Sequence, residues 1–140
     1  MEHKKDTSVG YALTVTLNVL RKNFNKKIKQ YDLSSEQYGV LKLVFEAEKL
    51  TPTQIAELLK RDKATITRII KSLEKKELIK KENINNRSFN ILLTKKGIKT
   101  LKEVEKIAIN YHKKIFEEVG EKEMLQMFET LKKIREIFKG

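Results

Sequence analysis

Residues 50–81 read LTPTQIAELLKRDKATITRIIKSLEKKELIKK: two short helical patterns, a polar break between them, and the start of a strand. Thr51 has the chemistry of an N-cap, and Pro52 suits the first helical position, where the missing N–H costs no bond. Gln54 completes a Thr-x-x-Gln capping box, and Leu50 with Ile55 has the spacing of a hydrophobic staple. The first helix then presents Ile55, Ala56, Leu58 and Leu59 before Lys60-Arg61-Asp62. Asp62 caps a second pattern with Ile66, Ile69, Ile70 and Leu73 on one side. Two capped helices joined this tightly predict a helix-turn-helix, although the turn lacks the glycine often found there.

Charge placement gives that motif a partner. Residues 60–81 hold nine Lys or Arg against Asp62, Glu74 and Glu77. At about 100° per residue, the isoleucines take one side of the second helix and Ala64, Arg68, Lys71 and Lys75 the other. Thr65, Thr67 and Ser72 lie at the margins, and Lys63 stands at the start. A face that is small near its beginning and cationic along its length fits a DNA major groove. There Arg forks onto guanine, Thr methyls meet thymine methyls, and Lys meets phosphate. The bland alternative is a solvated helix surface.

The rest of the composition agrees with an anionic partner. The 140 residues suit one domain, carry a net charge of +12, and are 39% hydrophobic with no Trp. With a core that modest, a partner subunit is expected to contribute stability. The absence of Cys excludes disulfides, thiolate metal sites and thiol-based redox sensing. Residues 7–20 are uncharged and preceded by Lys4 and Lys5. The run is too short to span a bilayer and no small-residue cleavage site follows it, so it reads as part of a soluble, cytoplasmic protein.

Leu13, Leu17, Leu20, Phe24, Ile28 and Tyr31 alternate at spacings of three and four, predicting a long amphipathic helix from about Thr7 to Gln30. Ser34 with Gln37 repeats the capping box and opens a helix with Tyr38, Leu41, Val44 and Phe45 on its apolar face. After Leu78–Asn83, the better strand is Ser88–Leu93. Ile84-Asn85-Asn86-Arg87 reads as the tip of a hairpin that follows the second helix as a wing. Arg87 at that tip suits the negative potential of a minor groove. Thr94 caps a helix reaching about Val119, Gly120 stops it, and a last helix carries Met124, Met127, Phe128, Leu131, Ile134 and Phe138.

With a helix pair, a wing and long flanking helices, the chain resembles the MarR family of transcriptional regulators from about residue 7 to residue 138. Asn85-Asn86-Arg87…Leu92-Leu93-Thr94-Lys95-Lys96-Gly97 is similar to the family's Asp-x-Arg, apolar strand and Leu-Thr-x-x-Gly. Asn85 departs from it, since the usual Asp braces the wing arginine. Asp62–Arg68 also looks like the family's recognition helix. The resemblance implies a mainly α fold with a small β-hairpin wing. Residues 1–140 would then be a single domain, with a winged helix-turn-helix at 34–94 and dimerisation helices at 7–31 and 95–138. It further implies a homodimeric repressor on a palindromic double-stranded operator, released in many relatives by small aromatic acids or phenols.

The DNA-contacting set would be Lys63, Ala64, Thr65, Thr67, Arg68, Lys71 and Lys75 on the recognition helix, Asn85, Asn86, Arg87 and Ser88 on the wing, and Thr51, Pro52, Thr53 and Gln54 on the preceding helix. Tyr11, Tyr38, Phe45 and Tyr111 lie near where a ligand crevice would fall, though aromatics at helical spacing are more often core. Catalysis finds no support: no phosphate loop, no His-Glu-x-x-His, and no nucleophile beside a base. His3 falls in a terminal tail. His112 has only apolar neighbours three and four residues away, so it reads as a core or interface residue rather than a ligand. No cofactor or metal is expected. The competing readings are an effector-independent, architectural DNA-binding protein of the same fold, and a basic membrane-surface or protein-interaction module.

Overall fold

The structure, a computed structural model, describes residues 4–139; His3 lies outside them. A short 3₁₀ turn, Lys5–Thr7, leads into α1 (Val9–Ile28), which tightens into a second 3₁₀ turn at Lys29–Tyr31. Then come α2 (Ser35–Ala47), α3 (Pro52–Leu59), α4 (Lys63–Lys75), the strands β1 (Ile79–Asn85) and β2 (Ser88–Leu93), α5 (Lys95–Val119) and α6 (Glu121–Ile137). This is a winged helix-turn-helix between long flanking helices. By internal contacts the chain forms two units, Met1–Glu105 and Lys106–Gly140, and α5 runs through the boundary.

Local chemistry sets most of the boundaries in the first unit. Ser34 accepts the Gln37 N–H while the Gln37 side chain accepts the Ser34 N–H, a complete capping box at the start of α2. Thr51 and Gln54 repeat it at α3, with Pro52 in the first turn. The core gathers α2, α3, α4 and the hairpin: Val40, Leu41, Val44, Ile55, Ile66, Leu73 and Ile91 have no or almost no exposed surface. Each such side chain contributes roughly 1.5–3 kcal/mol on leaving water. On α2 the buried face is Val40, Leu41 and Val44, while Phe45, expected there, is exposed. The helix packs on α4 and β2 through a face rotated by about one residue from the one read off the aromatic positions.

β1 and β2 pair antiparallel from Ile79 against Leu93 out to Asn85 against Ser88, with an irregularity between Asn83 and Asn85. The expected four-residue tip is therefore shorter. Only Asn86 and Arg87 turn, and Ile84 and Asn85 belong to the strand. Leu50 adds a single bridge to Ile91, bonded in both directions, which ties the loop before α3 to the hairpin.

The join between hairpin and α5 explains one glycine. Thr94 Oγ1 donates to the Glu77 carbonyl and accepts the Gly97 N–H, while the Thr94 N–H donates to the Leu78 carbonyl. This places the first turn of α5 on the Leu78 backbone, where a Cβ at residue 97 would lie 2.0 Å from the Leu78 oxygen. Only glycine fits. In the second unit, His112 and Phe116 of α5 meet Phe128 of α6. The His112 ring lies 4.7 Å from Phe116 and parallel to Phe128 at 6.4 Å. His112 is thus an aromatic-packing residue.

Candidate nucleic-acid interface

The helix pair is built as a presentation device. α3 ends at Lys60, which takes the left-handed conformation (φ 54°) in place of a glycine, and the chain turns within Arg61 into α4. Arg61 Nη1 lies 3.5 Å from Glu36 Oε2, and Arg21 Nη1 lies 3.6 Å from the other oxygen of the same carboxylate. One acidic side chain of α2 therefore braces both α1 and the turn.

α4 divides cleanly. Ile66, Ile70 and Leu73 are buried, whereas Lys63, Ala64, Thr67, Arg68, Lys71 and Lys75 are exposed. Thr65 is half-buried and links its neighbours: its hydroxyl donates to Asp62 Oδ1 at 2.7 Å and accepts from Arg68 Nη2 at 3.1 Å. Asp62 also accepts the Thr65 N–H at 2.9 Å. Its carboxyl is held below the usual carboxylate range, first by the Thr65 hydroxyl and then by that N–H. The chain Asp62–Thr65–Arg68 orients the guanidinium along the exposed face before any partner arrives, lowering the rotamer entropy lost on contact. The Thr67 hydroxyl donates to the Lys63 carbonyl, which leaves its methyl for apolar contact. Such a surface combines a forked donor, methyl groups and a line of ammonium charges, the means by which base edges and phosphates are met.

The wing follows at once. Leu78 N–H donates to the Leu73 carbonyl, and Lys81 Nζ lies 3.6 Å from Glu74 Oε1, so β1 is fastened to α4. Lys81 also stands 4.7 Å above the Phe89 ring. At the tip, Asn85 Oδ1 accepts the backbone N–H of Arg87 at 2.8 Å. The neutral side chain thus braces the turn backbone, and the exposed Arg87 guanidinium makes no ion pair among the described residues. Asn86 is likewise exposed and Ser88 half-buried. On α3, the side chains of Thr51 and Gln54 are occupied with their own capping box, while Thr53 is exposed and Pro52 half-buried.

The three aromatic candidates of the first unit, Tyr11, Tyr38 and Phe45, form no common cluster among the described residues. Tyr38 packs on Phe24, with ring centroids 5.5 Å apart, and its hydroxyl donates to Glu105 Oε2 at 3.0 Å while Lys42 holds the other oxygen at 3.0 Å. Burial, then the Glu105 bond and charge, push the Tyr38 phenol well above its ordinary value, so it stays neutral. Tyr11 and Phe45 are exposed, and no ring contact joins either to Tyr38 among the described residues. Tyr111 belongs to the second unit, where burial raises its phenol. Among the described residues no cluster of His, Cys, Asp and Glu has the makings of a metal site, and no helix is long and apolar enough to cross a membrane.

Sequence reading missed the polar anchor on the other end of α4. Gln37 Nε2 donates to Ser72 Oγ at 2.8 Å, and Lys76 Nζ donates to Gln37 Oε1 at 3.0 Å and to the Asp32 carbonyl. The capping-box glutamine of α2 therefore also fixes the orientation of α4. Partners 35 and 39 residues apart leave no local signal.

Comparison with known proteins agrees with this geometry. Residues 33–88 match the model of the MarR family. The HTH-type transcriptional regulator SarZ of Staphylococcus aureus is 29% identical over 115 residues, spanning 79% of this chain and 75% of SarZ. Among solved structures, a MarR/EmrR family transcriptional regulator from Acinetobacter sp. ADP1 superposes with a TM-score of 0.87 at 25% identity, over 96% of each chain. S. aureus MepR in its DNA complex gives 0.85 at 25% identity, over 94% of this chain and 98% of MepR. The match over the helix-turn-helix and the first strand of the wing, together with the likeness in fold over nearly the whole chain, makes this chain similar to the MarR family of transcriptional regulators.

Proposed function

We propose that the chain is a sequence-specific DNA-binding repressor that acts as a homodimer on a palindromic operator. The observation that carries this reading is the split of α4: Ile66, Ile70 and Leu73 buried at one side, Ala64, Arg68, Lys71 and Lys75 open at the other. Lys63, Thr65 and Thr67 would frame the base contacts, Arg87 with Asn85, Asn86 and Ser88 would meet the flanking minor groove, and Thr51–Gln54 would approach the backbone. The DNA-bound state of MepR supports the partner class.

The dimer is argued from surfaces left uncovered. α1 exposes Val9, Leu13, Leu17 and Val19, and α6 exposes Leu125, Met127 and Phe128. Contiguous apolar faces of this kind mark interaction sites. A second copy would cover each, making one domain of residues 1–140 in which helices 7–31 and 95–138 dimerise around 34–94. A small aromatic or phenolic ligand that released the duplex through Tyr38 would have to displace its hydroxyl bond to Glu105. Among the described residues no set of groups is placed to carry catalysis.

The test is selection of bound sites from a randomised duplex pool, then fluorescence anisotropy with the selected and scrambled duplexes across a salt series. Palindromic enrichment and a specific affinity about a thousandfold or more above scrambled DNA are expected. Equal affinity for all duplexes would favour the architectural reading, and binding to anionic vesicles without sequence preference would favour the membrane-surface one.

A further inference from the structure

The C-terminal end of α4 faces a second basic feature, some 20 Å along the helix from Asp62 at 1.5 Å per residue. An open cavity of about 450 Å³ is lined by Asn25, Lys26 and Lys29 at the end of α1, by the 32–34 turn, and by Gln37 and Lys76. Three ammonium groups face one carboxylate there, and that carboxylate, Asp32, has a side chain 91% exposed. Lys26 and Lys29 make no ion pair among the described residues. Lys76 is differently placed. Its ammonium sits 3.9 Å from the Asp32 carboxylate and is held mainly by neutral acceptors, the Asp32 carbonyl and Gln37 Oε1. Uncompensated cations in a concave wall attract an anion more strongly than they do on a convex surface. The volume lies within the range of small-ligand sites, about 300–1,000 Å³.

We propose that this cavity binds the phosphate or carboxylate group of a small metabolite, held by Lys26, Lys29 and Lys76, and that its occupancy regulates α4. The link is Gln37, which joins Lys76 in the cavity wall to Ser72 on α4. An anion that draws Lys76 away removes one of the two side-chain contacts that Gln37 makes to the end of the DNA-reading helix. The helix then loses part of its fixed orientation, and duplex affinity falls. The regulatory half rests on the DNA-binding reading above; the binding half does not.

The experiment titrates inorganic phosphate, and separately succinate, into the full chain by calorimetry at fixed ionic strength. The wild type is compared with K26A/K29A, two exposed positions outside the proposed duplex contacts. Saturable binding to the wild type is expected, weakened about tenfold or more by loss of the two charged contacts. The stronger of the two anions assigns the ligand as phosphoryl or carboxyl. In parallel, anisotropy with the selected duplex should show several-fold weaker binding when the preferred anion saturates the wild type, and no anion effect on the variant. Absence of saturable heat from either anion, or equal affinity in K26A/K29A, overturns the site. Anion binding with unchanged duplex affinity overturns the regulation. A variant weakened for duplex without any anion assigns these lysines to the DNA backbone and also overturns the proposal. Should the chain bind no duplex at all, the calorimetry still decides whether the site exists.

Discussion

α1 and α4 are both amphipathic helices with cationic surfaces, yet they end in opposite situations. α4 buries most of its apolar side against its own chain, with Ile66 and Leu73 at zero exposure and only Ile69 half-buried. α1 buries only Phe24 and Ile28 near its end and leaves Leu13 and Leu17 at 45% and 44% exposure. The two therefore divide labour. A helix finished within one chain is held in one orientation and can offer its polar side to a rigid partner such as a duplex. A helix left open offers its apolar side, and its natural partner is another apolar face.

The largest expected effect tests the closed helix. Ile66→Ala should cost about 2–5 kcal/mol of stability in urea unfolding, because a fully enclosed side chain leaves a cavity that its neighbours cannot fill. The loss should not depend on protein concentration. A cost below half a kilocalorie would mean that α4 is loosely seated and the contrast is wrong. Leu17→Glu tests the open helix. It should leave the folded subunit's far-ultraviolet dichroism intact and weaken self-association roughly a hundredfold or more, since an unpaired carboxylate would have to be buried at the interface. Sedimentation velocity across a dilution series reads this directly, and an unchanged sedimentation coefficient would show that the α1 face meets something other than a second copy.

Smaller changes probe the polar side of α4. Arg68→Ala should lower affinity for the selected duplex by about 1–3 kcal/mol and relax preference at one base position. Lys75→Ala should weaken all duplexes alike and reduce the salt slope by about 1. If Arg68→Ala behaves as Lys75→Ala is expected to, the guanidinium held by Thr65 points to phosphate rather than to a base edge.

What could be read without coordinates follows the range of the forces involved. Both capping boxes, the Asp62 cap and the glycine stop at residue 120 involve partners within about one helical turn, so residue identity and spacing suffice. Periodicity likewise separates the two sides of α4, because three of the four stripe residues, Ile66, Ile70 and Leu73, are buried and the fourth, Ile69, is half-buried. It misjudged α2, where Val40 rather than Phe45 faces inward, since the choice between neighbouring faces is made by the elements that pack against the helix. The wing tip was read too wide because strand pairing continues through the Asn83–Asn85 irregularity, which no alternation pattern marks. Gln37 is the plainest case. Its capping role was legible, and its hold on Ser72 and Lys76 was not, because that depends on how α2 and α4 come together.

The finest test compares how the two helices are joined to the chain. α1 leaves through Asp32 (φ 52°), and α4 is entered through Lys60 (φ 54°), both left-handed and neither glycine. A residue with a Cβ loses roughly 1–2 kcal/mol there, but Asp tolerates the conformation better than Lys because its short polar side chain bonds locally. Part of the relief on substitution is returned to the glycine's extra freedom in the unfolded chain. Lys60→Gly should therefore raise stability by about 0.5–1 kcal/mol, and Asp32→Gly by close to nothing, in parallel denaturant titrations. Equal gains at both sites would mean that the backbone strain, and not the side chain, sets the cost. A loss at Lys60 would show that its side chain makes a contact worth more than the strain, tying the entry to α4 to its surroundings more firmly than the exit from α1.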